Sequence, residues 1–106
     1  MVKLEKDNLI IEETIGLVRK GVKLEVGTYK RGSAIGLVGG KYNLIGESTY
    51  EASTIEGILA EDIVVTKDEI ATIYLTGQFN SKSIIVKTGK ISDLVEPARK
   101  LGIFIF

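Results

Sequence analysis

The sequence predicts a mainly β fold with a minor α component: a compact, small β-barrel or sandwich-like domain of short strands and glycine turns, closed by one short C-terminal helix. Three observations carry this. Isoleucine and valine together number 24 against 10 leucines, and branching at Cβ suits a pleated strand better than a helix. Glycine interrupts the chain between Gly27 and Gly46 every few residues (G-T-Y-K-R-G-S-A-I-G-L-V-G-G-K-Y-N-L-I-G), so no long helix fits there. Period-two alternation recurs, as in Val22, Leu24 and Val26 against Lys23 and Glu25, which marks a half-buried strand.

In chain order, residues 1–8 are polar and aperiodic. Leu9, Ile10 and Ile11 form an apolar cluster between Asp7-Asn8 and Glu12-Glu13, too short for a helix and adhesive in character. Arg19-Lys20-Gly21 reads as a break before the Val22 to Val26 strand. Ser33 to Val38 and Lys41 to Ile45 are the next two strands. Gly39-Gly40 joins them in a tight hairpin, since glycine reaches positive φ without steric cost. Glu47 to Thr54 is a polar loop. Ile55 to Val65 carries the Gly-Ile-Leu phrase, Thr66 to Glu69 is a polar turn, and Ile70 to Thr76 bears bulk on both faces, as a central strand does. Ser83 to Val86 reads as a further strand after the Asn80-Ser81-Lys82 turn. Ser92 to Leu101 is the helix: Ser92 suits the cap, Asp93 the first turn, Lys100 the last and Gly102 the stop. Pro97 either removes a bond one turn in or opens a later helix at its first position. Ile103 to Phe106 is a final strand or docking tail.

Length and composition bound the function. At 106 residues the chain makes one domain with a modest core. There is no cysteine, hence no disulfide and no thiolate site, which fits a reducing cytosol. Fourteen basic and fourteen acidic side chains balance to zero, whereas a duplex nucleic-acid binder carries a basic excess. No apolar run approaches the ~20 residues of a spanning helix, and no signal-peptide core follows Met1. The expectation is therefore a protein made in the cytoplasm, with no nucleic-acid or membrane partner.

The chemical motifs are weak. Gly36 to Lys41 fails as a phosphate loop, because Ile35 stands where the first glycine belongs and Tyr42 where a magnesium-binding hydroxyl belongs. The pairs Glu12-Glu13, Glu61-Asp62 and Asp68-Glu69 send adjacent carboxylates to opposite faces and read as solvated surface. With no histidine or cysteine, the commonest general base and the soft nucleophile are missing. Ser81, Lys82 and Ser83 read as a polar turn. The expectation is no catalytic residue, no cofactor, no metal and no small-molecule substrate: not an enzyme.

Five phrases, in order, carry a resemblance: Arg31-Gly32-Ser33-Ala34-Ile35, Gly40-Lys41-Tyr42, Gly57-Ile58-Leu59-Ala60, Gly77-Gln78-Phe79-Asn80, and a C-terminal helix leading into Leu101-Gly102-Ile103-Phe104-Ile105. Together they resemble the head decoration proteins of tailed bacteriophages, the lambda-type capsid-stabilising family, over roughly Val22 to Phe106. The resemblance implies a structural protein of the virion, on the outer surface of the phage head, made in the host bacterial cytoplasm. It implies a homotrimer bound to the major capsid protein of the expanded shell, holding it against the pressure of packaged DNA. It divides the chain into an N-terminal arm, residues 1–21, mobile or capsid-docking, and a single β-rich decoration domain, residues 22–106. The arm departs from the Ala/Pro/Thr-rich lambda type, and Leu9, Ile10 and Ile11 become the candidate capsid-binding residues; the alternative is that they form the first strand of the domain's own sheet. The alternative is a small non-catalytic β-barrel binding module of a larger assembly.

Overall fold

The computed structural model describes residues 10–12, 18–67 and 69–106. Among the described residues, ten short strands and one α-helix follow in chain order: β1 (Ile10–Glu12), β2 (Arg19–Lys23), β3 (Gly27–Tyr29), β4 (Ala34–Val38), β5 (Lys41–Leu44), β6 (Ile55–Leu59), β7 (Ile63–Val65), β8 (Ile70–Tyr74), β9 (Gly77–Phe79), α1 (Ser92–Arg99) and β10 (Ile103–Ile105). The mainly β class with one short helix is as the composition predicts.

The centre is a five-stranded antiparallel sheet in the order β2-β8-β6-β4-β5. An odd number of antiparallel strands leaves its two outer strands running the same way. They meet accordingly: Leu24, just past β2, bridges Tyr42 of β5 in parallel, and the Glu25 N–H donates to the Tyr42 carbonyl at 3.0 Å. The sheet thus curls into a small barrel with a narrow seam. A β3-β7 ribbon and a three-stranded β1-β9-β10 sheet complete the β structure.

Side-chain alternation splits the core in two. Val22, Leu24, Tyr29, Ile35, Leu59, Val65, Ala71 and Ile73 pack together inside the barrel. Their strand neighbours Ala34, Ile58 and Tyr74 point the other way, into a second cluster with Phe79, Leu94, Ala98, Ile103 and Ile105. The second cluster is roofed by α1 and β10. This is why β8 carries bulk on both faces. Burying both faces of a strand requires apolar residues at successive positions, and Ile73 and Tyr74 in β8, like Ile58 and Leu59 in β6, are all buried.

Local chemistry explains the turns. Gly39 and Gly40 have φ of 59° and 82° and join Val38 to its partner Lys41, so the expected two-residue hairpin forms where only glycine is comfortable twice running. Gly57 lets β6 approach β8: a Cβ there would meet the Tyr74 carbonyl oxygen at 2.6 Å.

Four expectations are corrected. Gly21 is not a break but lies within β2, opposite Thr72. A Cβ at Gly21 would meet Ile70 at 2.9 Å, so glycine serves close strand packing there. The expected boundary between residues 21 and 22 consequently falls inside a strand. Val26 does not share the buried face of Val22 and Leu24; it is 70% exposed, because β2 ends at Lys23 and the chain leaves the barrel after Leu24. Ser83 to Val86 is not a ladder strand. Residues Ser81–Ser83 form a 3-10 turn, and Ile85 makes one isolated bridge to Ser33. Ser92 is not the helix cap. Ile91 stands there, and no side chain caps the helix. Pro97 lies inside α1, so the helix bears the missing bond at Asp93 instead of starting at the proline.

Candidate partner-binding surfaces

The N-terminal candidates fall in a defined place. Ile10 and Ile11 belong to β1, which pairs antiparallel with β9, Ile10 facing Phe79 and Glu12 facing Gln78 across a local irregularity. Leu9 lies outside the described residues. On the other side of β9 runs β10, parallel, with Ile103, Phe104 and Ile105 opposite Gly77, Gln78 and Phe79. One sheet therefore brings together the N-terminal apolar segment and the C-terminal strand, which stand at opposite ends of the linear sequence.

The C-terminal strand shows the alternation of a half-buried strand. Ile103 and Ile105 are buried, while Phe104 is 40% and Phe106 67% exposed. Leu101 is exposed nearby. Val95 and Arg99 of α1 meet Phe104, Ile105 and Phe106 around a shallow groove of about 70 Å³. A second exposed apolar area lies on the β3-β7 ribbon, where Val64 stands opposite Thr28 and both Val64 and the preceding Val26 are exposed. Sequence reasoning missed this area, because Val26 alternates correctly with two core residues and only the end of β2 reveals its exposure.

Several polar groups brace the fold. The Arg31 N–H donates to Asp62 Oδ1 at 2.7 Å, the Arg31 guanidinium donates to the Ala60 carbonyl, and the Thr72 N–H donates to Glu61 Oε2. The pair Glu61-Asp62 thus anchors two different segments. Glu69 accepts from the N–H groups of Lys67 and Thr66 and from the Thr66 hydroxyl. These bonds, the Lys67 N–H foremost, pull its carboxyl down to about 2, a stabilisation of the charged form by donors. Asp68 lies outside the described residues. The Asn80 side chain accepts from the Lys82 N–H and shapes the Ser81–Ser83 turn. Tyr74 is flanked by two guanidinium groups, Arg19 at 5.1 Å and Arg31 at 6.0 Å from the ring centre, within cation–π range.

Two wider hollows have mixed linings. One of about 210 Å³ lies beside Tyr50, Thr88, Lys90 and Asp93, the other, of about 380 Å³, beside Tyr29, Asn43, Glu47 and Lys87. Among the described residues, every buried side-chain polar atom has a hydrogen-bond partner, and no three carboxylates converge to hold a metal. Exposed apolar side chains stand on and beside the short strands β3, β7 and β10. No family model and no curated protein matches the chain.

Proposed function

We propose that the protein is a structural head decoration protein of a tailed phage, binding the outer surface of the expanded capsid as a trimer and stabilising it against packaged DNA. The observation that carries this reading is where the five resembling phrases fall. Arg31-Gly32-Ser33 is a junction: the Gly32 N–H donates to Leu59, its carbonyl accepts from Ile85, and Ser33 is buried with its hydroxyl on the Lys30 carbonyl. Gly40-Lys41-Tyr42 makes the hairpin and one side of the seam. Gly57-Ile58-Leu59 is the close strand crossing that divides the two cores. Gly77 to Asn80 is the middle strand of the terminal sheet and the turn that leaves it. Four of the five phrases thus fall at turns and strand contacts of the frame, and their order along the chain is what supports the reading.

A decoration protein needs adhesion without chemistry, and many copies on a lattice let each contact be weak. The exposed apolar residues of β10 and the groove it makes with α1 supply adhesive area, and β1, the strand of Ile10 and Ile11, runs in the same sheet. The test is to mix the purified chain with expanded, undecorated capsids of its own phage. Saturable binding, density at local threefold positions and greater resistance of the shell to heat are expected. Failure to bind expanded shells would overturn the reading and favour a binding module of another assembly.

A further inference from the structure

The barrel seam is closed by one backbone bridge and by side chains. Beyond the Leu24–Tyr42 bridge, β5 has no strand ladder on its outer side among the described residues. The bonds that such a ladder would make are made otherwise. Asn43 Oδ1 accepts from the Leu44 N–H at 2.7 Å, where a neighbouring strand's carbonyl would stand. The Leu44 carbonyl accepts from the Glu47 N–H. From β3, Tyr29 sends its hydroxyl across the gap, at 2.6 Å from the Glu25 carbonyl and 3.1 Å from Asn43 Oδ1, one proton serving two acceptors. Lys20 of β2 adds a bond to the Tyr42 hydroxyl at 3.3 Å. Immediately alongside lies the hollow of about 380 Å³ lined by Tyr29, Asn43, Leu44, Glu47 and Lys87.

We infer that this seam, held by Asn43 and Tyr29 in place of a ladder, is a hinge at which the barrel opens ahead of the rest of the fold, baring the β5 edge around Leu44. The reason is cooperativity. Ladder bonds break in runs, whereas one bridge and a few side-chain bonds beside an open hollow can break without disturbing the strand pairs of the central sheet. Asn43 thereby also acts as an edge guard, occupying a backbone donor that would otherwise be open to a foreign strand. This inference is independent of the decoration reading.

Native-state hydrogen exchange on the full chain, at increasing sub-denaturing urea, tests it. The Glu25 and Leu44 amides are expected to exchange through a local opening that is nearly independent of urea. The Leu59 and Ala60 amides, bonded to Ser33 and Thr72 in the sheet, are expected to exchange only by global unfolding. Asn43→Ala removes the acceptor and is expected to speed exchange at Leu44 on the order of tenfold beyond any change at Leu59. Tyr29→Phe keeps that acceptor, so it is expected to speed Glu25 more than Leu44. If Glu25 and Leu44 follow the same urea dependence as Leu59 in the unaltered chain, the seam is not a hinge, and that comparison holds even if a variant fails to fold.

Discussion

Tyr29 shows how a single residue couples stability to pH. Its ring lies in the barrel core and its hydroxyl spans the seam. Burial, then the charges of Glu25, Glu47 and Tyr50, push its phenol from 10.0 up to about 12. The neutral form is the one the fold favours, so its contribution is complete below pH 10, the unfolded value, and is lost as pH rises through 12. Tyr50, raised in the same direction by burial and Glu25, adds to the loss. The urea midpoint is therefore expected to fall between pH 10 and 12, and Tyr29→Phe is expected to flatten that fall. An equally steep fall in the variant would assign the effect elsewhere. Nothing in G-T-Y-K discloses this role, because the partners of the hydroxyl come from residues brought near only by barrel closure.

At the scale of elements, the features set by local chemistry were the legible ones. Two glycines between alternating strands give the hairpin, and apolar residues clustered on one side with a glycine stop give α1, although the cap expected at Ser92 does not form. Elements defined by distant partners were not legible. Gly21 reads as a break because its neighbour Ile70 is 49 positions away. Residues 84–86 are apolar and β-branched, yet they make one bridge and not a strand: Ile85 faces Ser33 and bonds Gly32 and Ala34 on either side of it. The two kinds of glycine are separable by experiment. At Gly57 an added methyl meets the backbone oxygen of Tyr74 and the side chain of Ile73 at 2.6 and 2.8 Å. Gly57→Ala must push β6 and β8 away from each other and is expected to cost about 1–3 kcal/mol or more, as overpacking does. Gly39 has positive φ but nothing within 4 Å of an added Cβ, so Gly39→Ala bears only left-handed strain, about 1–2 kcal/mol. Urea unfolding compares them directly. The Gly57 variant is expected to shift amide resonances along β6 and β8, while the Gly39 variant changes only at the turn. Equal spectra for both would contradict the close approach.

The whole molecule turns on one sheet that serves two cores. Strands β4, β6 and β8 feed both, so the barrel and the helix-roofed layer are not separable, and the terminal sheet attaches to the second of them through Phe79, Ile103 and Ile105. The class and the β-rich character were legible in the sequence, because alternation and β-branching are local. That both ends of the described chain meet on β9 was not, because that pairing joins residues far apart in sequence. For Leu9, Ile10 and Ile11 this meeting sharpens the test. In the proposed function they dock on the capsid, and β1 gives Ile10 and Ile11 an edge position: it is three residues long, lies outside β9 and, among the described residues, pairs at two positions around an irregularity. Short edge strands with few bonds sit at the low-stability end of a fold, and their ordering is completed by a strand partner on binding. Deletion of residues 1–14 is therefore expected to leave a folded domain, with stability lowered by no more than a surface change would lower it, about 0.5–1 kcal/mol, that no longer decorates expanded capsids. Two results would sink the docking role. A large loss of stability would mean that β1 supports the terminal sheet, and unimpaired decoration by the shortened chain would move the contact to Phe104, Phe106 and the α1 groove.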